Sequence, residues 1–328
     1  MWFKNLGVYQ IKDFNCDDSD LHNRAQGMKF VPCEPHKESA YGWVPPFGVE
    51  SANFAPSANG VVLLKVQFEV RKVSPSEIQM ILDEEIAKLK ESDPDIHIDN
   101  KMKKNMKANI KDSLQPKAPS SVSAVSGFID AKTGYIYIDG SPSKCEKFVG
   151  ALRYLHPEME LDINPIQTQN EPKLLMTEWM LEDSFPEKLS IGNEFSITDQ
   201  EDGTEITYKK VSGYSDKNLK GYLSEQKRVV KMKVYYGENP SDEESNSNTS
   251  LSISDDFQIS GISWSDELEE MAFSDYEEIG NASHDEIGTA ILSAMSSKSK
   301  EVCDYLINEC FGGVKTEEHL EKDAEGGL

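Results

Sequence analysis

Long hydrophobic runs are missing from this sequence of 328 residues. The longest apolar run, Val61 to Leu64, is far shorter than the roughly 20 residues that a membrane-spanning helix requires. The segment Met1–Leu6 shows no basic region followed by an apolar stretch, so we expect no secretion signal. The sequence therefore predicts a cytoplasmic protein without a membrane partner.

Paired cysteines and catalytic motifs are also missing. The five cysteines include no Cys-x-x-Cys pair, and the six histidines are scattered without the spacing of metal ligands. We therefore predict reduced thiols and no metal site. There is no Gly-x-x-x-x-Gly-Lys-Ser/Thr loop, which excludes a P-loop ATPase, and no Gly-x-Ser-x-Gly elbow supports a serine hydrolase. The residues indicate neither an enzyme nor a cofactor.

Basic residues are scarce and unevenly placed. The chain has 34 Lys and Arg against 58 Asp and Glu, a formal net charge of −24. Yet a first basic segment, Lys101–Lys117, holds six lysines and one acid, and a second, Lys209–Lys233, holds seven lysines, one arginine and two acids. Glu238–Glu286 holds fifteen acids and no Lys or Arg. Concentrated positive charge raises the local potential whatever the net charge is, so we predict two surfaces that contact a polyanion.

The composition of the basic segments indicates the kind of polyanion. They contain thirteen lysines but one arginine. Lysine suits contacts with phosphates, whereas arginine is favoured for reading guanine. Sequence-independent binding to a nucleic-acid backbone follows. The residues predicted to contact phosphates are Lys103, Lys104, Lys107, Lys111, Lys117, Lys209, Lys210, Lys227, Arg228 and Lys231.

The order of the predicted elements favours an α+β fold with antiparallel sheets and packed helices. A helix is expected to begin after Ser74, with Glu77 completing a capping box. The spacing of apolar residues predicts a second helix over 101–114, with a row of lysines along one face. A hairpin is expected over 128–139, and a meander is expected with strands at 205–208, 221–223 and 229–236.

Four regions can be assigned on this basis. Residues 1–73 and 120–185 form a central α+β region, and 74–119 form a helical basic arm or tip. Residues 186–311 form the β-meander and an acidic helical region, and 312–328 form a flexible tail. In the last meander strand, alternation places Val230, Met232 and Val234 on one face and Lys231 and Lys233 on the other.

Two other functions stay open. Glu225-Gln226-Lys227, with Asp202 or Asp216 upstream, could belong to a metal-dependent DNA exonuclease, although such triplets are common by chance in a chain rich in Glu and Lys. The acidic region 238–286 could mimic DNA and occupy a DNA-binding partner. We prefer to interpret that region as a solvated outer face.

Several short pieces of this sequence also occur together in a known family. They are Met1–Leu6, Phe30–Cys33, Gly42–Pro46, Ser57–Gly60 and Thr177–Trp179. In their order and spacing, up to about Glu270, the chain resembles the RdgC family of bacterial recombination-associated proteins. Tyr208–Lys210 and Lys227–Lys231 also lie where that family has comparable basic residues.

The resemblance implies an elongated, curved monomer that pairs into a ring-shaped homodimer. The positively lined hole would admit double-stranded DNA, and binding would limit a RecA-type recombinase indirectly. It implies a nucleoid-associated protein, encoded by a bacterium or a phage. It carries Lys117 and Lys210 over as DNA-contacting residues. Pro119 stands where the family tends to have an aromatic residue at the ring-closing tip, and Val211 replaces a polar residue.

Overall fold

The computed structural model describes residues 2–12, 14, 17–158, 160–210, 221, 223, 227–241, 247–268, 270 and 283–316. Its strands are β1 (Asn5–Ile11), β2 (Ser39–Trp43), β3 (Ser57–Ala58), β4 (Val61–Arg71), β5 (Ser120–Asp130), β6 (Tyr135–Asp139), β7 (Ile163–Pro165), β8 (Leu189–Asp199), β9 (Glu205–Lys209), β10 (Lys227–Tyr236), β11 (Thr249–Ser254) and β12 (Ile259–Ser263). Its helices are α1 (Asp18–Gly27), α2 (Pro75–Ser92), α3 (Asn100–Leu114), α4 (Pro142–Leu155), α5 (Pro172–Glu182) and α6 (His284–Asp304). A 3-10 turn covers Gln115–Lys117, and a π-helical turn covers Tyr305–Cys310.

The twelve strands form one antiparallel sheet. Its main path runs β2-β4-β5-β6-β1-β12-β11-β10-β8-β9, with β3 beside β4 and β7 beside β1. β1 joins the two halves, because Leu6 pairs with Ile259 of β12 while Val8 pairs with Tyr137 of β6. Together with the helices this is an α+β fold, as the sequence predicted.

The half of the sheet around β4 is buried on both faces. Val61 and Leu63 pack into a core with α5 and α6, whereas Val62 and Leu64 pack into a second core with α1 and α4. Alternate side chains of a strand point to opposite faces, so a strand covered on both sides must be apolar throughout. This explains the longest apolar run of the sequence.

The other half, β8 to β12, is packed against helices on one face. Phe195, Met232 and Ile253 join the core that includes Met176 of α5 and Leu292 of α6. The alternate residues form a face that is mostly polar and partly or fully exposed. We call this surface of β8–β12, opposite α5 and α6, the open face.

Helices α2 and α3 form an insertion in the longest hairpin. β4 and β5 pair along their whole length, from Val61 opposite Asp130 to Arg71 opposite Ser120, and residues 72–119 connect their ends. Gln115 Nε2 donates to the carbonyl oxygen of Lys37 at 3.2 Å, which fastens the insertion to the loop before β2. Residues 74–119, predicted as a basic arm or tip, lie within this insertion, and their role as an arm stays a prediction.

Three local predictions were wrong. Ser74 precedes α2 but makes no capping hydrogen bond, because its Oγ lies 2.7 Å from Ser76 Oγ instead. The described residues of the predicted strand 221–223 are helical. Val229 rather than Val230 joins the core, since a bulge between Val229 and Lys231 adds one residue to β10.

None of the helices in the described ranges is long and apolar enough to cross a membrane.

Candidate nucleic-acid interface

Three basic residues of β10 lie on the open face. Arg228 is opposite Thr198 of β8, and Lys231 is opposite Ser196 of β8 and Ser254 of β11. Lys233 is opposite Ser252 of β11. Their neighbours in the strand, Val229, Met232 and Val234, are fully buried on the other face. The bulge keeps Arg228 and Lys231 on the same side although they are three residues apart.

Hydroxyl groups surround these cations. Along the paired strands the open face carries Ser190, Ser196, Thr198, Thr207, Ser250, Ser252, Ser254 and Ser260. Ser196 is only 3% exposed, and its Oγ lies 2.8 Å from Thr207 Oγ1, so this hydroxyl joins β8 to β9 while the other hydroxyls of the face are partly or fully exposed. Lysine, arginine, serine and threonine are side chains that contact phosphate oxygens. The open face therefore presents the donors that a nucleic-acid backbone accepts.

Lys233 depends on a glycine for its position. A Cβ atom at Gly192 would lie 2.9 Å from Lys233 Cγ and 3.0 Å from its carbonyl oxygen. Glycine on β8 therefore lets the stem of Lys233 cross the neighbouring strand. The Nζ lies 5.8 Å from the ring centroid of Tyr235, a favourable cation–π distance.

A groove of about 600 Å³ runs beside Lys231 and also contains carboxylates. Its walls include Asn5, Ser141 at the start of α4, and Asp255 and Asp256 in the β11–β12 turn. Desolvation in this turn raises the pKa of Asp255, and the neighbouring charge of Asp256 raises it further. These acids reduce the positive potential at Lys231.

Neutralising Asp255 is therefore expected to strengthen binding. Asp255→Asn should lower the Kd for duplex DNA about two- to fivefold at neutral pH, because it removes a negative charge from the groove of Lys231. The gain should shrink as the pH falls through the raised pKa of Asp255, since the wild-type carboxyl is then neutral too. Fluorescence anisotropy against pH measures both effects. Glu178→Gln replaces an exposed acid of α5 and is the control. It should change neither the Kd for duplex DNA nor its dependence on pH.

The first basic segment forms α3 and the 3-10 turn after it. Lys103, Lys104, Lys107 and Lys117 are exposed, and none of them is within 4 Å of a carboxylate in the described part of the chain. Lys111, in contrast, is paired with Glu38. The remaining lysine row stacks like charges without compensation, which destabilises a free helix and favours a bound anion.

Asp99 holds the start of this lysine helix. Its carboxylate accepts a hydrogen bond from Met102 N at 2.7 Å and so caps α3. Asp99→Ala should destabilise α3 by about 1 kcal/mol. Hydrogen exchange of the α3 amides measures the loss. Ser74→Ala is the matched control at the other helix of the insertion, and it should leave exchange in α2 unchanged because Ser74 makes no capping bond. Equal effects of the two changes would contradict this account.

Not all of the predicted residues come together. Five strand-to-strand steps separate β5, where the insertion ends, from β10, roughly 24 Å at about 4.8 Å a step. The α3 lysines and the open face are therefore distinct surfaces.

Three further predicted residues lie off the open face or at its edge. Lys227 is the neighbour of Arg228 in β10, so its side chain points to the other face, where Nζ lies 3.7 Å from Asp199 Oδ2. Lys209 is exposed beside Glu194, at 3.6 Å, and Lys210 lies beyond the end of β9 with φ of +55°.

Lys233 was missed among the predicted contacts, although its alternation with Met232 and Val234 would have placed it beside Lys231. The predicted exonuclease residues Asp216 and Glu225 lie outside the described residues. Asp202 is described, and backbone and side-chain hydrogen bonds from Thr204 lower its pKa. No group of three His, Cys, Asp or Glu side chains that could hold a metal ion occurs among the residues the structure places.

The open face combines cations with hydroxyl groups, which are the side-chain types that contact phosphate oxygens in nucleic-acid-binding proteins. A family model described as "Putative exonuclease, RdgC" matches residues 1–313. The chain therefore belongs to the RdgC family. Curated relatives named "Recombination-associated protein RdgC" include that of Halorhodospira halophila, 28% identical over 73% of this chain and 78% of the relative. The relative from Aeromonas hydrophila is 27% identical over 82% of this chain and 86% of its own length. The resemblance seen in the sequence is confirmed.

Proposed function

We propose that this protein binds double-stranded DNA without sequence preference and limits the access of a RecA-type recombinase to it. The observation that carries the proposal is the alignment of Arg228, Lys231 and Lys233 on one sheet face, each opposite a serine or threonine. The relatives named as recombination-associated supply the biological setting. A nucleoid location follows from the same proposal.

Lysines rather than arginines dominate both contact surfaces, which supports binding to the backbone rather than to bases. The acidic remainder of the chain repels phosphates within a Debye length of about 8–10 Å. Binding must therefore present the open face and α3 to the duplex and hold other surfaces away. Enclosure of the duplex by a homodimeric ring would satisfy this requirement.

Gel retardation tests the proposal directly. We expect linear duplexes to be retarded at low salt irrespective of sequence, and size-exclusion chromatography should give the mass of a dimer. A closed ring should bind linear DNA more readily than covalently closed circles of the same length. No retardation at low salt would contradict DNA binding and would favour a DNA-mimic role of the acidic region 238–286.

The same assay separates binding from nuclease activity. Incubation of linear duplex with Mg²⁺ should leave its length unchanged. Shortening that Glu225→Ala abolishes would show an exonuclease and overturn the non-enzymatic proposal. Shortening that persists in Glu225→Ala indicates a contaminating nuclease, which further purification would remove.

A further inference from the structure

An aromatic notch lies on the α4 side of the sheet, at the edge formed by β2 and β4. Tyr41 of β2 stacks on Phe68 of β4, with ring centroids 6.0 Å apart and planes at 25°. Tyr154, near the end of α4, lies 6.4 Å from Tyr41. These tyrosines are 43% and 65% exposed. The notch thus leaves a large part of each tyrosine open to solvent.

A glycine forms the floor of this notch. Gly150 lies on α4 between Lys147 and Tyr154, at helical spacings of three and four residues, so the three share one side of the helix. A Cβ atom at Gly150 would have nothing within 4 Å. Glycine in a helix interior is unfavourable relative to alanine. No neighbouring atom of the chain requires a glycine at position 150. Close approach of a ligand to the helix backbone would require one.

The charge around the notch selects the ligand. Lys147 Nζ lies 5.8 Å from the Phe68 ring, and Lys144 is exposed one turn before it. α4 has one carboxylate, Glu146, and this accepts a hydrogen bond from Tyr9 OH at 2.9 Å. In a chain with a net charge of −24, this helix is positive. A flat apolar ring that carries negative charge beside it fits the aromatic side chains of the notch and the lysines next to them.

We propose that the notch binds an unpaired nucleobase of single-stranded DNA by stacking, with Lys144 and Lys147 contacting the flanking phosphates. Every base has an aromatic face, so stacking of this kind tolerates any sequence. The site shares no residue with the open face. Its separate chemistry would let the protein hold a single strand as well as a duplex.

The position of α4 connects the two surfaces. Ser141 and Pro142, at the start of α4, line the groove beside Lys231, and Tyr154 lies twelve residues further along the helix. A rise of 1.5 Å per residue makes that distance roughly 18 Å. A strand leaving a duplex on the open face could follow the lysines of α4 to the notch in a few nucleotides. The preferred ligand is then a duplex with a single-stranded tail; this extension rests on the proposed function, whereas binding of a free single strand does not.

Three probes test the inference: a labelled 15-residue oligothymidine, a blunt duplex, and the same duplex with a ten-thymidine tail. Tyr154→Ala should weaken oligothymidine binding about five- to hundredfold, the range expected for loss of one stacked base. Tyr154→Phe should bind like wild type, because the ring is kept. Leu174→Ala, at an exposed residue of α5, is the control for loss of exposed apolar surface.

Gly150→Leu provides a second variant that does not depend on removing a ring. Leucine favours the helix, so the fold should be retained while the side chain fills the notch and abolishes oligothymidine binding. For both variants, blunt-duplex affinity should be unchanged and the gain from the tail should disappear. Wild-type affinity for oligothymidine in both variants would overturn the inference. An equal loss for blunt duplex would overturn it too. If wild type binds oligothymidine but not duplex, the proposed function alone fails.

Discussion

Replacing Lys300 with methionine is expected to lower the free energy of unfolding by about 3–5 kcal/mol, because it leaves a buried carboxylate without its cation. Asp130 is 1% exposed, and its Oδ2 lies 2.6 Å from Lys300 Nζ of α6. The same carboxyl accepts a hydrogen bond from Lys132 N at 3.0 Å and so fixes the β5–β6 turn. The Asp130–Lys300 ion pair therefore links α6 to the end of β5, in the central part of the sheet.

Lys37→Met is the matched control. Lys37 Nζ lies 3.4 Å from Glu34 Oε2, and the two side chains are 62% and 69% exposed. An exposed pair contributes about 0–1 kcal/mol, so this variant should remain close to wild type. Urea unfolding followed by circular dichroism measures both. Equal stability of the two variants would show that the Asp130–Lys300 pair does not stabilise the fold.

The loss should depend on pH. Burial raises the pKa of Asp130, but the ammonium of Lys300 and the turn amides outweigh it and hold the pKa below its ordinary value. A lowered folded pKa gives stability that is present above the unfolded value of about 3.9 and disappears as the pH falls through the folded value. The difference between wild type and Lys300→Met should therefore be full at neutral pH and shrink below about pH 4.

Removing the three cations of the open face is expected to have the largest effect on DNA binding. If Arg228, Lys231 and Lys233 each contribute about 1 kcal/mol, changing all three to glutamine costs about 3 kcal/mol, or more than a hundredfold in Kd. Fluorescence anisotropy with a labelled duplex at low salt measures the change. The side chains are partly or fully exposed on a strand whose other face makes the core, so thermal unfolding should be close to wild type.

The control must remove the same charge elsewhere. Changing Lys29, Lys88 and Lys90 to glutamine also makes the chain more negative by three, at exposed positions away from the open face. This variant should lose at most a few-fold in affinity, through long-range repulsion. If the two triple variants lose affinity equally, net charge rather than the open face governs binding.

Much of the local structure follows from the sequence. Helix α3 and the 128–139 hairpin are marked by periodic apolar residues and by Gly134, whose φ is +70°. The Ser74 capping box failed because a capping motif only permits the bond, and Ser76 offers the hydroxyl of Ser74 a competing partner. The strand predicted at 221–223 failed because three residues carry no usable period.

The candidate site is harder to predict because it depends on strand pairing. Alternation puts Lys231 and Lys233 together, but the bulge that brings Arg228 to the same face leaves no mark in the sequence. The pairing of β10 with β8 and β11 supplies the hydroxyls. β8 ends 28 residues before β10 begins, and β11 begins 13 residues after β10 ends. The order of the sheet also separates α3 from the open face, which charge counting cannot reveal.

The salt dependence of duplex affinity tests the central claim most directly, since it counts the phosphates that the open face neutralises. The logarithm of the wild-type binding constant should fall linearly with the logarithm of the salt concentration, with a slope of about −5 for six neutralised phosphates. In the Arg228, Lys231 and Lys233 triple glutamine variant, the magnitude of the slope should be smaller by about 3. An identical slope in the two proteins would contradict phosphate binding by the open face.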